Sequence, residues 1–309
     1  MTGSATPRVS VIMRSKNSDW VIHQALAALF SQTFTDFELI VLDSGSVDRT
    51  LEIVGHYPHR LIRIPPGDYV PGPVLNRGIE AARGDIIVLL NSDGVLLGPE
   101  GLDRLVRAFD DPGVAAAVAR QLPRPEADPW VRREYATSFP ARGETPPWIT
   151  LSAVTTALRR SAWERHPFYA DAWGSEDTEW GVWAREQGLT IRYLPDVLVM
   201  HSHNYTLRQL YGRRFIEGEA DAFIYRRAAS LAGAVARMGW WTLRELARGI
   251  RLGAWSELPR VPARQVVYHW GWHAGHRHGR RRLHGGDSDI GTGQRTVLAR
   301  HESVRPASA

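Results

Sequence analysis

The chain has no cysteine, a single lysine (Lys16) and only four methionines in 309 residues. Without cysteine there is no disulfide and no thiolate chemistry, which fits a reducing compartment. No stretch approaches the roughly 20 apolar residues that a membrane-spanning helix requires. The N-terminus, MTGSATPRVSVIM, lacks the basic start and apolar core of a signal peptide, so a cytoplasmic location is the expectation. With lysine almost missing, positive charge rests on arginine, and it is unevenly spread. Residues 1–204 hold 20 Lys+Arg against 25 Asp+Glu, a net of −5; residues 205–309 hold 18 against 8, a net of +10. That asymmetry separates an acidic part from a basic one.

What is present begins with short, solid apolar runs. RVSVIM (8–13), FELIVLD (37–43), RLIRIP (60–65) and DIIVLLN (85–91) read as strands, with helical patterns around WVIHQALAALFSQ and VLNRGIEAAR between them. Ser18 or Asp19 is a candidate cap for the first helix and Asp48 for a second. Strand–helix alternation at this spacing predicts an α/β fold with a mostly parallel central sheet and flanking helices. Such strands are covered on both faces, which is why they are apolar throughout. Ligands of open parallel sheets bind beyond the carboxyl ends of the strands. Three strands end in polar groups at that edge: Arg14-Ser15, Asp43-Ser44 and Asn91-Ser92-Asp93, with Gly94 next. One such aspartate is usually a cap or turn former; three polar ends on one edge point to a site.

Further along, GPEGLDRLVRAFDDPG reads as a helix, VAAAVARQ as a strand and PRPEADPW as a proline-broken loop. A strand and a short helix follow within 146–166. In GSEDTEWGVWAREQG, Glu176, Asp177 and Glu179 open a predicted helix and are bracketed by Trp173, Trp180 and Trp183. Acids there complement the helix dipole, but carboxylates beside aromatic faces also suit a sugar ring. The extended LTIRYLPDVLVMHSH ends on His201 and His203. Alternation along an extended chain sends the two imidazoles to opposite sides, so they are not expected to share one ion. His201 meeting Asp93, with phosphate oxygens completing the shell, is the arrangement that would hold Mg²⁺ or Mn²⁺.

Residues 205–272 read as helices and 273–309, rich in Gly, His and Arg, as a flexible basic tail. The helix around 237–255 places Arg237, Arg244, Arg248 and Arg251 on one face. Contact with the inner-membrane surface and plain packing with the arginines in water are equal readings of it. No nucleic-acid-binding motif accompanies the charge.

In order and spacing, VSVIMRSKN, FELIVLDSGSVDRTLEI, PGPVLNRGIEAARGDIIVLLNSDGV, ARQLPRPEADP, SEDTEW and VMHSHNYTLRQLYGRRFIEGEA resemble family 2 glycosyltransferases of the GT-A fold. The branch they look most like is the bacterial rhamnosyltransferase-like one involved in polysaccharide assembly. The resemblance spans roughly residues 8–220 and rests on six motifs, each weak alone. It implies a GT-A (Rossmann-like) catalytic domain over 1–204 with a helical C-terminal extension. It implies that Arg14, Ser15, Asn17, Asp43 and Ser44 hold the base and ribose of a nucleotide-diphosphate sugar, with Asn76 and Arg77 flanking it. Asn91-Ser92-Asp93 takes the place of the family's D-x-D metal motif, and His201 matches a histidine that completes the shell. Glu176-Asp177 matches an acidic pair whose aspartate is the general base of an inverting transfer to a hydroxyl of a glycan or lipid-linked acceptor. Trp173, Glu179 and Trp180 would line the sugar or acceptor. Asn91 departs from the pattern and removes one carboxylate from the motif, which supports a competing reading as a catalytically silent nucleotide- or sugar-binding partner of an assembly complex. A nucleotidyltransferase is disfavoured because RSKNSDW is not a Gly-rich, Lys-containing phosphate loop.

Overall fold

The computed structural model describes residues 6–285, 291–293 and 296. The chain divides into two compact units, one of residues 1–169 and 176–204, the other of 170–175 and 205–309.

The first unit is built on an eight-stranded sheet of order β3-β2-β1-β4-β7-β6-β8-β5. Its first four strands, β1 (Val9–Ser15), β2 (Phe37–Asp43), β3 (Arg60–Arg63) and β4 (Ile86–Leu90), are all parallel. The other half is mixed. β7 (Thr155–Arg159) runs antiparallel to β4 and to β6 (Val114–Leu122), β8 (Thr190–Met200) parallel to β6, and β5 (Val95–Leu97) antiparallel to β8. The expectation of a mostly parallel sheet therefore holds for the N-terminal half alone. β5 follows β4 after only Asn91–Gly94, too short a link for the helical crossover that parallel pairing needs.

Helices α1 (Ile22–Phe30), α2 (Thr50–Val54), α3 (Pro71–Glu80), α4 (Gly101–Arg107), α5 (Pro129–Ser138), α6 (Arg160–Arg165) and α7 (Glu176–Glu186) belong to this unit. Two buried apolar clusters occupy the two faces of the sheet. Val9, Val11, Val41 and Val88 join α1's Leu26 and Leu29 on one, and Ile12, Ile40, Leu42 and Leu89 join α3's Leu75 and Ile79 on the other. That alternation along single strands explains the unbroken apolar runs. Neither Ser18 nor Asp19 caps α1 with its side chain; the Ser18 carbonyl accepts from Val21 and Ile22 instead. Helix α5 occupies a stretch read from sequence as part of a loop: Pro129 takes the first helical position, where its missing N–H costs nothing. A Cβ at Gly72 would collide with the Tyr169 carbonyl oxygen, so glycine is what lets α3 begin against that segment.

The second unit contains α8 (Leu207–Ile224), α9 (Leu231–Arg251) and α10 (Val261–Gly285). Thr206 and Gln209 form a reciprocal capping box at the start of α8. Helices α8 and α10 pack closely enough that a Cβ at Gly275 would collide with the Phe215 carbonyl. Glu219, fully buried on α8, is met by Arg282 of α10 at 2.6 Å. Residues 273–285, expected in a flexible tail, are helical because glycines on successive turns of α10, Gly271, Gly275 and Gly279, let it pack against the α8 backbone. The rest of that expected tail lies outside the described residues apart from 291–293 and 296.

Candidate functional site

The strand directions decide what meets at the carboxyl edge of the first unit. Because β6 and β8 run in the same sense as β4, their ends, Leu122 and Met200, reach the edge where β4 ends. The chain leaving β4 passes through Asn91–Gly94 and pairs as β5 with β8, Val95 opposite Met200. Continuing that antiparallel register sets Asp93 beside the residues just after Met200. The result is a cluster: His203 Nε2 lies 3.0 Å and His201 Nε2 3.6 Å from Asp93 Oδ2. The two imidazoles pack edge to face at 4.9 Å. The expectation that they point apart fails because β8 ends at Met200, and beyond a strand end the two-residue alternation no longer holds.

Two further residues shape this cluster. The Tyr135 hydroxyl is 3.0 Å from His201 Nδ1, a contact that orients the ring and leaves Nε2 facing Asp93. Arg124, just beyond β6, donates from Nη2 to the Asp93 carbonyl oxygen at 2.7 Å, and its own backbone N–H donates to Ser202 Oγ at 2.9 Å. Burial pushes the Asp93 carboxyl up, but His201, His203 and Arg124 outweigh it and hold the carboxyl well below the usual carboxylate range. One ligand atom from each of Asp93, His201 and His203 lies within 4.8 Å of the others, a spacing and donor set able to hold a divalent cation. Arg124 and Tyr135 escaped the sequence reading. The signal for Arg124 was its place just past a strand end; Tyr135 carried none.

A second cluster opens α7. Glu176 is buried and takes Arg14 Nη1 at 2.7 Å. The same guanidinium donates from Nε and Nη2 to Asn91 Oδ1 at 3.3 and 3.2 Å. Arg14 thus ties β1 to the turn after β4 and to the start of α7, and the Asn91 amide oxygen faces Arg14. Asp177 accepts from the Ala153 N–H at 2.9 Å on Oδ2 and from the Thr178 N–H at 2.7 Å on Oδ1. Burial and the neighbouring Glu176 charge push the Asp177 carboxyl up to about 6, against the two backbone N–H groups and Arg14.

The remaining expected residues divide. Ser92 Oγ is 2.8 Å from Ser18 Oγ, Ser44 N–H donates to the Ser15 carbonyl, and Asn17 Oδ1 accepts from Val47 N–H, so these lie together at the edge. Asp43 is there too, with its carboxylate accepting from Gly45, from the Ser46 N–H and from the Ser46 hydroxyl. Asn76 is not free for a ligand: it donates to the Phe168 carbonyl and accepts from Trp163 Nε1 and Phe168 N–H. Arg77 is exposed in the last turn of α3, a helix that runs away from this edge. Trp180 is fully buried in the core beside Phe168 and cannot offer a face to a sugar. Glu179 is held by His166 at 3.0 Å, and that imidazole stacks on Trp183. Trp173 is buried and belongs to the second unit. Helical spacing brackets acids with tryptophans, but packing decides which face turns inward, and here it is theirs. Gly94 has no left-handed φ; a Cβ there would meet Asn91 O and Leu90 at 3.3 Å, a tight fit that favours glycine by space.

The glycosyl transferase family 2 profile matches residues 10–166, just over half of the chain. The chain belongs to glycosyl transferase family 2. This family member is 30% identical over 208 residues to the O-antigen chain rhamnosyltransferase WbaN of Salmonella anatum, covering 62% of this chain and 64% of that protein. It is 28% identical over 224 residues to the O-antigen chain rhamnosyltransferase RfbN of Salmonella typhimurium, covering 68% of this chain and 71% of that one. The chain therefore matches about two thirds of the length of these relatives. Among solved structures it is similar in fold to the mannosyltransferase PcManGT of Pyrobaculum calidifontis, determined with GDP-Man and Mn²⁺. The TM-score is 0.57 at 17% identity, over 96% of this chain and 81% of that one. S. aureus TarS 1–349 with UDP gives a TM-score of 0.53 at 17% identity, over 91% and 92%. The sheet with flanking helices is accordingly a GT-A fold, accompanied by a C-terminal helical region.

Proposed function

We propose that this family member is an inverting glycosyltransferase of the cytoplasm that moves a hexose from a nucleotide-diphosphate donor to a hydroxyl of a glycan or lipid-linked acceptor. The observation that carries the reading is the pair of clusters at one sheet edge: a carboxyl raised to about 6 at Asp177 and an Asp–His–His group fitted to a cation. Similarity to O-antigen rhamnosyltransferases supports a deoxyhexose such as rhamnose as the sugar and a growing polysaccharide as the acceptor.

In this reading Asp177 is the general base. Each of its oxygens accepts one backbone N–H, which leaves lone pairs for the proton of the acceptor hydroxyl. A base whose pKa lies near operating pH is ionised enough to accept the proton and basic enough to keep it. One base and no separate nucleophile correspond to a single displacement with inversion. Glu176, engaged by Arg14, keeps a negative charge beside Asp177 and maintains its basicity. Asn17, Asp43, Ser44 and Ser92 form the wall for base and ribose. Asp93, His201 and His203 would hold the cation, which when bound offsets charge developing on the leaving nucleoside diphosphate. Two imidazoles and one carboxylate suit Mn²⁺ better than Mg²⁺, which prefers all-oxygen shells.

The test is a binding screen of nucleoside diphosphates and their sugars by calorimetry, with Mn²⁺, with Mg²⁺ and with neither. The expected result is one base preferred, binding strengthened by Mn²⁺ more than by Mg²⁺. Absence of nucleotide binding under every condition sinks the reading.

A further inference from the structure

Large exposed apolar side chains are unevenly shared between the two units. Among the described residues, the first unit shows Val47, Leu97 and Trp148. In the second, residues 235–255 alone show Val235 at 56%, Trp240 at 64%, Leu243 at 67%, Ile250 at 52%, Leu252 at 61% and Trp255 at 63% exposure. On α9, 100° per residue sets Val235, Gly239, Ile250 and Leu243 within one sector, and Ala236, Ala247 and Trp240 extend it to about 140°. Arg244, Arg237, Arg248 and Arg251 fill the adjoining sector. The helix's one acid, Glu245, is partly buried on the inward side marked by the buried Ala234, with Arg248 at 3.8 Å. The outward surface of α9 is therefore apolar and bordered along one edge by cations, and the helix sets no acid on it.

We propose that this face of α9 docks on an anionic phospholipid surface, with the helix lying in the interface. Charge complementarity chooses the occupant. A second copy seated face to face on the same helix offers these arginines no outward acid in either sense, and in the antiparallel sense sets them against one another. An anionic bilayer offers apolar depth for Leu243 and Ile250 and phosphates for the flanking guanidiniums. Trp240 and Trp255 are of the residue type that settles at headgroup level. No described helix is long and apolar enough to cross a membrane, so the surface lies on the bilayer rather than through it. The inference concerns the second unit's own surface and stands whether or not the first unit transfers a sugar.

Vesicle flotation of the full chain tests it, using phosphatidylcholine vesicles with and without phosphatidylglycerol. The parent should float with the phosphatidylglycerol vesicles and release as salt rises, because exposed ionic contacts are screened. Leu243→Glu with Ile250→Glu should weaken binding on the order of 100-fold by placing charge in the apolar boundary. Arg244→Gln with Arg251→Gln should cost about fivefold per arginine on the anionic vesicles alone. Both pairs are exposed enough to leave melting temperature and nucleoside-diphosphate binding as in the parent, which separates a docking defect from misfolding. A parent that ignores phosphatidylglycerol vesicles overturns the proposal, as does a Leu243→Glu/Ile250→Glu variant that floats like the parent. So does a dimer that this variant dissociates without any vesicle binding in the parent.

Discussion

Asp93 and Asp177 are both half-buried carboxylates at the same sheet edge, yet their chemistry is driven in opposite directions. Burial raises the pKa of each. Around Asp93 stand two imidazoles and the Arg124 guanidinium, and they more than reverse the effect. Around Asp177 stands Glu176, a like charge, while the nearest cation, Arg14, is hydrogen-bonded to Glu176 and Asn91. Neighbouring charge, and not burial, therefore sorts the two. One is pinned as a permanent anion, suited to hold a cation; the other is poised to exchange a proton near neutrality.

The contrast breaks most visibly at Asp177. Asp177→Asn removes the base while keeping the shape, and turnover should fall on the order of 10²–10⁴-fold with donor affinity little changed. The parent needs the ionised form, so its turnover should drop about tenfold per unit below the Asp177 pKa of about 6 and level off above it. The variant should lack that limb. A variant that transfers sugar at the parent's rate, or one that retains the limb, removes Asp177 from the role.

Asp93 sharpens the other side. Asp93→Asn leaves two imidazoles without their anion, and Mn²⁺ affinity measured with nucleoside diphosphate present should fall by about 100-fold or more, since even outer contacts are worth 10–100-fold. Tyr135→Phe deletes the hydroxyl at His201 Nδ1 and touches no ligand atom; a loss of about tenfold is expected. Equal Mn²⁺ affinity in parent and Asp93→Asn would place the cation elsewhere.

How much of this was legible in the sequence depends on how far apart the partners lie. The runs at 9–15, 37–43 and 86–90 declared buried strands, and their polar ends declared an edge, because both signals are local. Asp93 and the Glu176-Asp177 pair stand out by place, at a strand's end and in a helix's first turn, and motif order supplies the roles expected of them. His203 was misjudged because alternation was carried past Met200, where the strand stops. Arg124 and Tyr135 reach the site only through the β6–β8 pairing and the placement of α5, and no short pattern encodes either. Residue type draws Trp180 towards the ligand and the family resemblance draws Asn76; which side of α7 and α3 meets the core is a packing outcome.

The smallest expected effect concerns Asn91, the departure from a two-acid metal motif. Were its amide facing the cation, Asn91→Asp would tighten Mn²⁺ strongly by adding a charge. Its oxygen instead accepts from Arg14 Nε and Nη2, while Asp93, His201 and His203 supply three ligand atoms without it. The new carboxylate would keep the Arg14 contact and strengthen it as a charge-assisted bond. Mn²⁺ affinity should then change by less than about threefold, the residual of a charge partly neutralised by its own arginine. Turnover should respond more than binding, because Arg14 would be drawn from Glu176, leaving that carboxylate less compensated beside Asp177. A shift of the acid limb to higher pH in Asn91→Asp, with Mn²⁺ affinity unmoved, is the combined signature. A large gain in Mn²⁺ affinity would instead make residue 91 a cation ligand and Arg14 a bystander.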